Sequence, residues 1–71
     1  MKMGKDQELF LKVVRDYSGV ADRGNVAMET GWELSKVSAV ARKLVRAGRI
    51  ESARVGGVGF EGWVYTLEEG K

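Results

Sequence analysis

The chain reads as an α+β protein, three helices followed by a two-stranded β-hairpin, and three observations predict it. Apolar residues recur at helical spacing in two stretches, Leu9 to Tyr17 and Leu34 to Leu44. The last third changes to β-branched and aromatic residues, in "RIESARV" and "GWVYTL". Glycines fall at the joints between these stretches, and with no proline in the chain they carry much of the turn-making.

Taken in order, the first helix starts near Asp6, which suits an N-cap, with Glu8 close to the positive end of the helix dipole. Leu9, Phe10, Val13, Val14 and Tyr17 fall on one side of it at about 100° per residue. Leu11 falls outside that stripe and is expected at the surface, where it and Phe60 are candidate contacts of a homodimer. Gly19 stops the helix. In "VADRGNVAMETG", Asp22 or Asn25 caps a second helix that carries Val26, Ala27 and Met28 and ends at Gly31. At about two turns it needs packing to persist. A third helix runs from near Leu34 to just before Gly48, whose left-handed conformation lets Ile50 fold back on it. The hairpin then turns through "GGVGFEG". That loop holds a G-x-G but no following Lys-Ser/Thr or helix, so it reads as a hairpin tip rather than a phosphate loop. Trp32 and Tyr65 are expected in the core. Trp63 shares a strand face with Tyr65 and Leu67 but sits nearer the loop.

Seventy-one residues predict one domain, 1–71, in which nearly every large apolar side chain is needed for the core. At 44% hydrophobic and 31% charged the composition is that of a folded chain. No apolar run approaches the roughly 20 residues that span a bilayer, and "MKMGK" lacks a signal peptide's apolar stretch, so a cytoplasmic protein without membrane contact is expected. With no cysteine and no histidine, thiol chemistry, the commonest metal ligand and the usual general base are all missing. The expectation is therefore no enzyme, no metal and no cofactor.

Charge is where the sequence becomes specific. The net +2 conceals a segment, 34–55, with six Lys or Arg against one Glu. With Val37 at the centre of the helix's apolar face, Val40, Ala41 and Leu44 fall within about 60° and Leu34 and Val45 on the flanks. Ser35, Ala39, Arg42 and Arg46 lie near the opposite pole, with Lys36, Ser38 and Lys43 beside them. An ordinary solvated face mixes signs, because like charges at i,i+4 repel by a few tenths of a kcal/mol. Here the outward face is small, hydroxylic and cationic, which suits a polyanion. The bland alternative is a solvated face compensated by carboxylates of the first helix.

"VAMETGWELSKVSAVARKLVRAGRIESARV…GWVYTL" resembles the winged helix-turn-helix of MarR-like small prokaryotic, archaeal and viral regulators, over roughly residues 20–67. Val26 and Ala27, Gly31, Ser35, Leu44, Gly48, Ile50, Tyr65 and Leu67 occupy the places of that pattern. The resemblance implies a helix-turn-helix at about 23–47, a wing at about 50–67, and sequence-specific or semi-specific binding of double-stranded DNA in transcription regulation, at the nucleoid. It implies that the helix 34–47 enters the major groove. Ser35, Lys36, Ser38, Ala39 and Arg42 would then face bases, Lys43, Arg46 and Arg49 would meet phosphates, and Arg54 would be the wing's cation. The sequence departs from the family at the wing tip, where Val58, Phe60 and Glu61 stand in place of basic residues. That departure keeps open a protein-interaction adaptor, and RNA binding by the same helix is a further alternative. No effector domain is expected within these 71 residues, and so no small-molecule effector.

Overall fold

The computed structural model describes residues 4–57 and 60–68, with the backbone alone for 57, 60 and 61. Its elements run α1 (Lys5–Asp16), β1 (Val20–Asp22), α2 (Arg23–Thr30), α3 (Leu34–Arg46), β2 (Ile50–Gly57) and β3 (Phe60–Leu67). This is an α+β arrangement consistent with a winged helix: three helices, then an antiparallel hairpin.

The hairpin is part of a larger sheet than the sequence predicts. β1 pairs antiparallel with β3, so the order is β1-β3-β2 and β3 is central. At three residues β1 is too short to show a period-two pattern, and it exists because β3 offers it a partner edge. The pairing is extended by the Leu67 amide, which donates to the Gly19 carbonyl at 2.9 Å.

α1 begins one residue before Asp6. Its N-cap is Gly4, with no side-chain cap, and the Glu8 amide donates to the Gly4 carbonyl at 3.0 Å. The Asp6 carboxylate is turned instead toward Lys36 of α3, 3.3 Å away. The buried face of α1 is also displaced from the expected stripe. Phe10, Leu11, Val13 and Val14 are buried and Leu9 is exposed. α1 packs against α2, α3, β1 and β3 together, so its covered arc is wide and extends past Val14 to Leu11. Leu11, at 4% exposure, belongs to the core and is not a dimer contact. The side chain of Phe60, the other candidate, lies outside the described residues.

α2 is capped as its sequence allows, with both candidates used at once. Asp22 accepts from the Asn25 amide at 2.7 Å, and the Asp22 amide donates to Asn25 Oδ1 at 3.1 Å, closing a capping box. The helix ends at Gly31 with φ 78°, a conformation in which a Cβ is strained. Thr30 links this end to the turn: its hydroxyl donates to the Val26 carbonyl at 2.7 Å and accepts from the Trp32 amide at 3.2 Å. After α3, Gly48 takes φ 73° and the Arg49 amide donates to the Leu44 carbonyl at 3.0 Å, which brings Ile50 into the core.

One apolar cluster holds these elements: Phe10, Leu11, Val13 and Val14 of α1, Val26 of α2, Val37, Val40, Ala41 and Leu44 of α3, and Ala21, Ile50 and Tyr65 of the sheet. Phe10 and Tyr65 meet edge to face, ring centroids 5.1 Å apart. Trp32 packs on this cluster but is only half-buried, so it flanks the core and does not fill it.

Candidate nucleic-acid interface

α3 presents its inner face to α1, α2 and β2, which fixes the direction of its outer face. Ser35, Ala39, Arg42, Lys43 and Arg46 are exposed, as is Arg49 beyond the helix end. Arg42, Lys43, Arg46 and Arg49 have no ion-pair partner among the described residues, and α3 carries no acidic residue. Among the described residues, no carboxylate compensates these four positions as it would on an ordinary solvated face.

Two of the expected contact residues are placed differently. Lys36 is not unpartnered: its ammonium lies 3.3 Å from Asp6 and 4.9 Å from the centroid of the Trp32 ring. α1 brings a carboxylate, and the turn between α2 and α3 an aromatic face, to one cation. Ser38 is half-buried, and its Oγ accepts from Arg23 Nη1 at 3.1 Å. It lies on the flank of α3 that turns toward the start of α2, so it holds a guanidinium and is not a free surface hydroxyl. Arg54 lies on β2, paired in register with Trp63 of β3.

Arg23 and Trp63 are the residues that sequence reasoning missed. Both line a cavity of about 340 Å³ between α3 and the wing strands. Its aliphatic wall is Ala41 and Val45 of α3, and Arg42 contributes to it from the same helix. Cross-strand partners in an antiparallel pair share a face, so Ser52 with Tyr65 and Arg54 with Trp63 stand on one side of the sheet. Along that side the core ends at Tyr65, and Trp63, 36% exposed, continues outward. The Tyr65 phenol is raised above its ordinary pKa by burial, against the opposing effects of the Arg23 charge and a hydrogen bond with Ser38. Arg23, Ser38 and Tyr65 therefore form one polar link from α2 through α3 to the sheet. No pattern in the sequence marks Arg23, because its position beside α3 depends on the angle at which the two helices meet.

No helix among the described residues is long and apolar enough to cross a membrane, and no group of metal-ligating side chains is found among them. The model of the family described as Domain of unknown function (DUF7343) matches residues 3–57, from α1 through β2. No curated protein and no solved structure matches the chain.

Proposed function

We propose, from the premise that the chain belongs to the DUF7343 family and carries the helix face just described, that it binds double-stranded DNA and acts in transcription regulation. α3 enters the major groove, with Ser35, Ala39 and Arg42 toward base edges and Lys43, Arg46 and Arg49 toward phosphates. The observation that carries this reading is the outward row of Arg42, Lys43 and Arg46, exposed and without a carboxylate partner among the described residues. The resemblance to MarR-like regulators supports the regulatory part, and a place at the nucleoid goes with it.

The test is the salt dependence of binding to duplex DNA. Neutralising about five phosphates gives a slope of log K against log salt near −4 to −5. A slope near zero would remove the electrostatic basis of the proposal. An adaptor that docks on an acidic protein is the second reading. It is favoured by Met28 and Leu34, 71% and 49% exposed on either side of the α2–α3 turn. Gel shifts on duplex DNA and on single-stranded RNA separate the readings. Failure to retard either nucleic acid leaves the adaptor.

A further inference from the structure

The cavity between α3 and the wing has a composition that ordinary packing does not call for. Arg23 and Arg42 both line it, with Ser38 and Ser52, and none of its lining residues is acidic. Arg23 is held in place by Ser38 at 3.1 Å. Trp63 leaves an indole at the border of the cavity, more than a third exposed, where a core residue would be covered. At about 340 Å³ the space lies within the range, roughly 300–1,000 Å³, of cavities that hold small ligands. Guanidiniums favour phosphate oxygens, and an exposed indole favours a planar ring.

We propose that this cavity holds one nucleotide unit, its phosphate at Arg23 and Arg42 and its base against Trp63. The proposal deepens the DNA reading and rests on it for one occupant, a nucleotide of the bound strand turned out of the base stack. A free nucleoside monophosphate is the other source of the same chemistry. Arg42 then serves both the groove face of α3 and the cavity. Arg23 reaches the ligand from α2, an element that the charge of segment 34–55 does not include.

The experiment follows the two indole N–H signals of the ¹⁵N-labelled full chain, assigned with Trp63→Phe. The chain is titrated separately with a deoxynucleoside 5′-monophosphate, the unphosphorylated nucleoside, inorganic phosphate and a duplex. The expected result is a saturable shift of the Trp63 signal with the monophosphate, at concentrations where nucleoside or phosphate alone produces little. Arg23→Gln weakens that response by about tenfold, as loss of a charge-assisted contact does. Lys43→Ala, outside the cavity, leaves it unchanged while weakening the duplex. A monophosphate that leaves the Trp63 signal in place, or acts equally on Arg23→Gln, overturns the proposal. Duplex binding with a steep salt slope and an unmoved Trp63 signal overturns the cavity site alone. A Trp63 response to the monophosphate without duplex binding keeps the site, assigns it to the free nucleotide and removes the DNA reading.

Discussion

Lys36 and Arg42 sit on the same helix, but the protein treats them differently. Lys36 is engaged by Asp6 and by the Trp32 ring, while Arg42 faces outward with no ionic partner among the described residues. Arg42→Ala should cost on the order of 1–3 kcal/mol if it reads a guanine, with relaxed preference at one base pair, as site selection from a random duplex library would show. A uniform loss on all sequences would reassign it to phosphate. Asp6→Asn should strengthen duplex binding severalfold at low salt, because it releases Lys36 from an exposed pair worth about 0–1 kcal/mol. Fluorescence anisotropy would register unchanged affinity if Lys36 stays on Trp32. Tyr65 makes a separate prediction. Its phenol titrates above the ordinary value because burial disfavours the anion, so the folded state keeps its proton when the unfolded state has lost it. Its contribution is complete at neutral pH and is lost as pH rises past about 10. Tyr17, raised by partial burial and by its hydrogen bond to Glu29, adds to the same alkaline loss. Urea midpoints measured from pH 8 to 11 should fall, and Tyr65→Phe should fall less.

At the scale of elements, what the sequence could reveal follows from how local each cause is. The limits of α3, the capping of α2 by Asp22 and Asn25, the end of α2 at Gly31 and the left-handed Gly48 were legible because each depends on neighbours within a few residues. Leu11, β1 and Arg23 were not, because each is decided by a distant element: the sheet under α1, the partner strand β3, and the crossing of α2 over α3. The cationic face of α3 could be read off a helical wheel, whereas the capture of Lys36 by Asp6 could not. Asp22→Ala should remove the capping box and cost about 0.5–2 kcal/mol, lowering the melting temperature by several degrees. Leu11→Ala should cost about 2–5 kcal/mol by chemical denaturation, because it empties part of the core beneath α1. Leu9→Ala, on the exposed side of the same helix, should cost far less. Equal costs would return Leu11 to the surface.

For the whole molecule, the basic row of α3, the cavity beside it and the hairpin are held in one relation by a core with few side chains to spare. A chain of this length has a net stability of only about 4–10 kcal/mol, so a large core defect would disperse the proposed DNA face along with the fold. β3 is the piece on which the rest converges. It supplies Tyr65 to the core, pairs with both other strands and stands at the cavity through Trp63, yet it lies beyond the 3–57 span of the family match. Time enters here, because pairing Val20 with Thr66 joins residues made far apart during synthesis. On the ribosome the three helices should emerge first and remain open to proteases, and resistance should appear only once Leu67 has cleared the exit tunnel. A nascent chain stalled after 57 that already resists digestion would mean that the helices close without their central strand.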